Sequence, residues 1–314
     1  MLPSATVVAV ADAQKSRLDF IGARYPAVRL FADAGEMVAW SGVDAVVIAT
    51  PVATHFPLAK QALMAGKHVL IEKPMCASTG QCDELISLAE SRQLTLMVDH
   101  TFLYTGAVRK IRELAASGEL GEILYFDSVR VNLGLFQHDV NVIWDLAPHD
   151  VAIMDAVIGA RAAAVAAVGC SHFGTAVENI AYMTVIFDSA AIAHFHLNWM
   201  APVKIRTTLI GGSKKMIVYD DTEPSEKVKV YDKGVQITAD LEEVRRTMVE
   251  YRTGDMHAPR LDSTEALYLI AQEFVDSIRQ QRAPLTDAHS GRRVVAILEA
   301  ANKSLMSGGQ LVPL

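Results

Sequence analysis

The chain has 314 residues, a formal net charge of −7 and an apolar share of 51%. That length suits two domains, and the apolar share can fill a core in each. The acidic balance and the absence of long basic runs argue against nucleic acid or an anionic membrane as partner. No run of about 18 uninterrupted apolar residues offers a membrane-spanning helix. The opening Met1-Leu2-Pro3-Ser4 lacks the basic-then-apolar order of a secretory signal. Cys76, Cys82 and Cys170 have no metal-ligand spacing and read as small hydrophobes in a reducing cytoplasm.

In chain order, residues 6–11 predict a strand that ends at Asp12, and a helix follows through Arg17 and Phe20 to Tyr25. Residues 45–49 predict a second strand, ending at Thr50-Pro51, and residues 54–65 a helix that stops at Gly66. The run His68-Val69-Leu70-Ile71 is short and apolar, bounded by Gly66 before and Pro74 after. It reads as a buried strand of a parallel sheet, with Glu72-Lys73-Pro74 at its carboxyl end. Ser78 or Thr79 caps a helix running to about Arg92, and residues 94–98 form another strand. Strand and helix alternating at this spacing predict parallel βαβ units with right-handed crossovers.

The pattern changes near Gly118-Glu119-Leu120-Gly121. Residues 123–133, 163–170, 180–187, 191–199, 206–210 and 216–219 are strand-like, joined by short Gly, Asp and Ser turns. They predict a large, mainly antiparallel sheet. A helix at about residues 145–158 interrupts it, and helices at 263–281 and 290–305 follow. The fold expected is α/β: a parallel doubly wound sheet over residues 1–119, then an α+β domain with a large open sheet over residues 120–314.

The Glu72-Lys73-Pro74 turn sits where open α/β sheets bind ligands. A partly desolvated Lys73 there can bond hydroxyls or help move a proton; the plainer reading is a solvated Glu-Lys pair before a turn. Asp12 is placed to bond an adenine-ribose hydroxyl and to disfavour a 2′-phosphate, or else it caps a turn. Thr50-Pro51, with His55 beyond, can hold phosphates or ribose at a helix N-terminus, or His55 is a surface histidine. Asp145 and His149, four residues apart, share a helix face. A carboxylate beside an imidazole suits a general base; alternatively Asp145 is an N-cap, or the two are metal ligands without an evident third. Arg130 and Asn132 share a strand face and are candidates for substrate contact. His194, His196 and Asn198 also share a face, lining a pocket, an interface or a solvated surface.

Taken together, Glu72-Lys73-Pro74 and the Asp145-to-His149 motif resemble the Gfo/Idh/MocA family of nicotinamide-dependent sugar and polyol oxidoreductases, from Asp12 to the final helices. The resemblance implies an NAD(P)-binding Rossmann domain and a substrate-binding domain whose open sheet serves oligomerisation, as a homodimer or homotetramer. It implies NAD rather than NADP as cofactor, with Asp12, Thr50, Pro51, His55, Glu72 and Lys73 at the cofactor. It also implies that His149 accepts the hydroxyl proton, that Lys73 bonds the hydroxyl and its neighbour, and that Asp145 holds the substrate and orients the base. No metal is implied. The stretch Asn132-Leu133-Gly134-Leu135-Phe136-Gln137, leading to Trp144-Asp145, resembles the branch acting on nucleotide-linked hexosamines. Asp99, before His100-Thr101, stands where the resemblance leads one to expect glycine, and would crowd the nicotinamide side.

One element of the family pattern is missing from this sequence. The glycine-rich phosphate turn belongs roughly 20 residues before the ribose-binding acid. Only eleven residues precede Asp12, none of them glycine, and Gly211-Gly212-Ser213 lacks the strand-to-helix context. The expectation is a Rossmann-type sheet without its first strand and helix, so either a start upstream of Met1 or a shortened chain with weak cofactor binding. Two function classes follow: an NAD-dependent sugar dehydrogenase, or a catalytically silent ligand-binding or regulatory protein on the same fold.

Overall fold

Five short parallel strands and the helices between them open the chain: β1 (Ala9–Ala11), α1 (Lys15–Arg24), β2 (Arg29–Phe31), α2 (Ala34–Ala39), β3 (Ala45–Ile48), α3 (Val52–Met64), β4 (His68–Glu72), α4 (Thr79–Ser91) and β5 (Leu96–Asp99). This computed structural model describes residues 2–134, 137, 140–237, 249–252 and 254–314. Local chemistry sets the helix bounds. Asp33 accepts from the Glu36 amide to cap α2, and Ser78 accepts from the Gln81 amide to cap α4. Gly66, at φ +74°, lets the chain leave α3 and enter β4.

The parallel strands form two sheets, not one: β1 with β2, and β3-β4-β5. Among the described residues β1 and β3 each pair on one side only, and Val47 on β3 is 64% exposed. This is what a doubly wound order without its middle strand gives. β2 and α2 were not expected from the sequence.

A 3₁₀ turn (Thr101–Tyr104) leads to α5 (Gly106–Ala116), also unforeseen, whose N-cap Thr105 accepts from the Val108 amide. Then come β6 (Ile123–Leu133), α6 (Val142–Ile158), β7 (Ala162–Cys170), β8 (Ile180–Phe187), β9 (Ile192–Asn198), β10 (Met200–Gly212), β11 (Met216–Asp220), β12 (Val228–Tyr231), β13 (Gly234–Ile237), β14 (Val249–Arg252) and β15 (Met256–His257). β13 and β14 form a separate two-stranded antiparallel sheet. The helices α7 (Ala266–Gln280) and α8 (Ala288–Met306) and the strand β16 (Val312–Pro313) close the chain. The main sheet runs β15-β12-β11-β10-β6-β9-β8-β7-β16, antiparallel except for β6 with β9. Alternation along β9 buries Ala193, Phe195 and Leu197 on the side where α6 packs, while Ile192 and His194 face outward.

The chain divides into one unit of Met1–Tyr104 with Thr264–Ala296 and another of Thr105–Ser263 with Ile297–Leu314. This differs from the division at 119/120 expected from the change in strand character. α5 packs on α6 and so belongs with the large sheet. The segment after α7 returns to the small sheet: the Val98 amide donates to the Thr286 carbonyl at 2.9 Å, and the Thr286 hydroxyl to the Val98 carbonyl at 2.6 Å. Among the described residues no helix is long and apolar enough to cross a membrane.

Candidate active site

In the first unit the carboxyl ends of β3, β4 and β5 present Thr50-Pro51, Glu72-Lys73-Pro74 and Asp99-His100. Thr50 and Pro51 are exposed, Lys73 half-buried. Pro51 precedes α3 without a side-chain cap and the Thr54 amide turns back to the Pro51 carbonyl, so the Val52 and Ala53 N–H groups are the ones left to donate outward. The Thr54 hydroxyl, 2.7 Å from both the Thr50 hydroxyl and the Pro51 carbonyl, holds the turn.

His55 departs from both readings of it. It is 1% exposed, with Nδ1 2.9 Å from the Pro74 carbonyl and Nε2 2.8 Å from the Thr50 carbonyl. Neither a surface residue nor a cofactor ligand here, it ties the Thr50 turn to the Lys73-Pro74 turn. Asp12 is a turn former: Oδ1 accepts from the Gln14 amide at 2.7 Å, and Arg17 lies 3.5 Å from Oδ2. Its other role requires only that Oδ2 also meet a ribose hydroxyl.

Behind Lys73 lies a buried polar group. Burial first, then Asp99, holds the Glu72 carboxyl above its usual range; burial raises Asp99 against the hydroxyl and amide of Thr101. His100 is 2% exposed, and neither ring nitrogen meets a partner among the described residues. Burial, with Lys73 beside it, pushes its pKa from 6.5 down to about 4. The unfolded chain therefore binds the proton first, so stability is full above about pH 6.5 and falls towards about pH 4, by about 3 kcal/mol. Glu72 and Asp99 act in the opposite sense, since their raised values favour the folded state on acidification. Asp221 and Glu273, held below their usual values, lose their contribution only at lower pH. His100→Leu is expected to flatten the fall in denaturant midpoint between about pH 7 and about pH 4.5; an unchanged slope would remove His100 as its source.

In the second unit α6 starts at Val142, not near Asp145, because Asn141 is the N-cap and accepts from the Trp144 amide at 3.2 Å. Asp145 is thus in the first turn and is not the cap. Pro148 falls in the second turn, where it removes the N–H that would meet the Trp144 carbonyl. Asp145 Oδ2 accepts from the Trp199 indole at 2.9 Å. Trp199 was not singled out from sequence, though its place in the β9 alternation puts it on the buried face, where an indole N–H needs an acceptor. His149 follows one turn after Asp145, half-buried on the same helical face. Among the described residues no three His, Cys, Asp or Glu side chains converge to hold a metal.

Arg130 is corrected by the structure. It is 4% exposed and grips Asp150 bidentately, Nε to Oδ2 at 2.8 Å and Nη2 to Oδ1 at 2.6 Å, with Ser128 also donating to Oδ2. It fastens β6 to α6 rather than facing substrate. Removing one partner strands a buried charge, so Asp150→Ala is expected to cost about 3–5 kcal/mol in denaturant unfolding, and a loss under about 1 kcal/mol would contradict this. Asn132, two positions on, is half-buried on the same strand face. His194 and His196 stack on Tyr182 on the outward face of the sheet. Leu135 and Phe136, within the stretch that suggested a hexosamine branch, lie outside the described residues.

Lys73, Glu72, Thr50, Pro51 and His55 thus belong to the first unit, Asp145 and His149 to the second. The exposed Thr50-Pro51 turn, the uncapped α3 terminus and Lys73 fit the nicotinamide-ribose part of a dinucleotide; Asp12 fits its adenine ribose.

Comparison with known proteins bears on this site. A model described as "Oxidoreductase family, NAD-binding Rossmann fold" matches residues 1–100, and one described as "GFO/IDH/MocA C-terminal domain" matches residues 108–218. The chain is 28% identical over 257 residues to the UDP-N-acetylglucosamine 3-dehydrogenase of Acidithiobacillus ferrooxidans, covering 81% of this chain and 76% of that protein. A solved structure of that enzyme gives a TM-score of 0.81 at 25% identity, over 96% of this chain and 90% of that one. The dTDP-3,4-didehydro-2,6-dideoxy-alpha-D-glucose 3-reductase of Streptomyces violaceoruber is 42% identical over 81 residues, 26% of this chain and 24% of that protein.

Proposed function

The chain belongs to the Gfo/Idh/MocA oxidoreductase family, and from that premise we propose that it moves hydride between a hydroxyl-bearing sugar carbon and NAD. The substrate proposed is a nucleotide-linked hexose or hexosamine. The observation that carries the reading is the presence in one chain of two chemical sets, each placed by its own unit: Lys73 at the carboxyl end of a parallel strand, and Asp145 with His149 on successive turns of α6. Two relatives named for nucleotide-sugar chemistry support the substrate class.

Bound nicotinamide supplies the acceptor for the hydride. His149 takes the hydroxyl proton as the C–H bond breaks, so charge does not build up on oxygen. Lys73 donates a hydrogen bond to a substrate hydroxyl and to its neighbour. Asp145, whose Oδ2 accepts from the Trp199 indole, binds substrate hydroxyls and orients the base. Thr50, Pro51 and the free N–H groups of α3 hold the ribose-phosphate side, with Glu72 beside them.

Asp12 sets the choice of cofactor. Its carboxylate bonds a free 2′-hydroxyl and repels a 2′-phosphate. Asp12→Ala leaves Arg17 beside that position, so the preference for NAD over NADP is expected to narrow by about tenfold, read by fluorescence titration of both nucleotides. A parent that prefers NADP would refute the role of Asp12. Nucleotide binding with no sugar-dependent reduction across a panel of nucleotide sugars would favour a silent binding protein over the enzyme proposed.

A further inference from the structure

β4 and β5 pair in parallel with Glu72 opposite Asp99. Residues opposed in this way project from the same face of the sheet. Side by side at the carboxyl ends of their strands and shielded from solvent, the two carboxyl groups lie close enough that burial and the neighbouring acid hold Glu72 above its usual range, and burial does the same for Asp99. Two carboxylates neighbouring in a partly desolvated place repel each other, which favours a pair that keeps one proton over a pair that is doubly ionised. Asp99, 8% exposed, also accepts from the Thr101 hydroxyl at 2.6 Å and from the Thr101 amide, which stabilise it as the anion. Glu72 accepts the Lys73 amide at Oε2, 3.1 Å away, which leaves Oε1 to carry the proton.

We propose that Glu72 and Asp99 form a carboxyl pair that shares one proton, and that Asp99, acting through Glu72, sets how tightly the Lys73 ammonium is held. Among the described residues, the charged and titratable groups bearing on the pair are the Lys73 ammonium and the two carboxyls themselves; His100, next to Asp99, is neutral near pH 7. With the proton in place the pair carries one negative charge against one positive charge on Lys73. Loss of the proton doubles the negative charge, and the ammonium is drawn onto the pair and away from a substrate hydroxyl. Asp99, which from sequence alone is only an intrusion where glycine was expected, becomes a positioning residue. The functional consequence rests on the reading of Lys73 given above; the shared proton does not.

The test uses the full chain without nucleotide or sugar. Infrared titration should show a protonated carboxyl band persisting above the ordinary glutamate range, and both Glu72→Gln and Asp99→Asn should abolish it. No such band, or a band that survives Asp99→Asn, would overturn the pair. Should either variant fail to fold, carbon-13 NMR of the unsubstituted chain labelled at glutamate carboxyls reads the same proton. One glutamate titrating above the ordinary range is expected, and uniform ordinary titration would overturn the proposal. Reductive methylation with labelled formaldehyde then reports on Lys73, its resonance assigned by its loss in Lys73→Met. That resonance should step at the pH where the carboxyl titrates, and the step should vanish in Asp99→Asn; its absence in the parent would overturn the link to Lys73. None of these readouts needs turnover. Their failure leaves hydride transfer standing, and absence of hydride transfer leaves the carboxyl pair standing.

Discussion

Lys73→Met is expected to lower turnover by about 10²–10⁴-fold, the usual contribution of a positioned acid–base group, with no loss of folding stability beyond about 0.5 kcal/mol. The side chain follows the last residue of β4 and is only half-buried, so little packing is lost. What is lost is the ammonium that would bond the reacting hydroxyl, and methionine keeps the length of the stem while removing its charge. Steady-state rates with thermal unfolding measured in parallel separate the two effects. Retention of more than about a tenth of kcat would remove Lys73 from the chemistry.

His149→Ala is expected to be as damaging at neutral pH and milder at high pH. A missing general base can be replaced in part by solvent hydroxide, whose concentration rises tenfold for each pH step. The rate of the variant should therefore climb with pH where the parent is flat. Asp145→Asn is a separate change, because it keeps an oxygen for the Trp199 indole while removing the carboxylate charge one turn before His149. A pH profile of His149→Ala parallel to that of the parent would count against His149 as the base.

How legible the chain was depended on how far each signal extends along the sequence. β6 was read with its observed bounds, because eleven residues of alternation leave no other register. β2 and α2 were missed, since three residues with one buried side chain and a six-residue helix carry too little periodicity. α5 was readable from Ala107, Val108, Ile111 and Leu114 behind a Thr105 cap, and was passed over. The start of α6 was misplaced because Pro148 suggested a first turn, while the Asn141 cap three residues ahead of Trp144 went unused.

The site was legible as residue types and illegible as partners. Sequence marks Lys73, Asp145 and His149, but His55 is explained by two carbonyls brought together only when β3 and β4 pair. Arg130 looks like a substrate ligand until α6 folds Asp150 onto it. Asp99 acquires meaning only from the register that sets it opposite Glu72. In each case the deciding interaction spans two elements, and single-strand periodicity carries no information about it.

The most direct test of hydride transfer follows the atom itself. Nucleotide-linked hexoses and hexosamines, deuterated at their hydroxyl-bearing ring carbons, are incubated with the protein and NAD, and the nicotinamide is analysed by mass spectrometry. Transfer of one deuterium from a single carbon of one such sugar to the nicotinamide, lost in Lys73→Met, is the predicted result. Bound NAD that gains no deuterium from any of these sugars would contradict it.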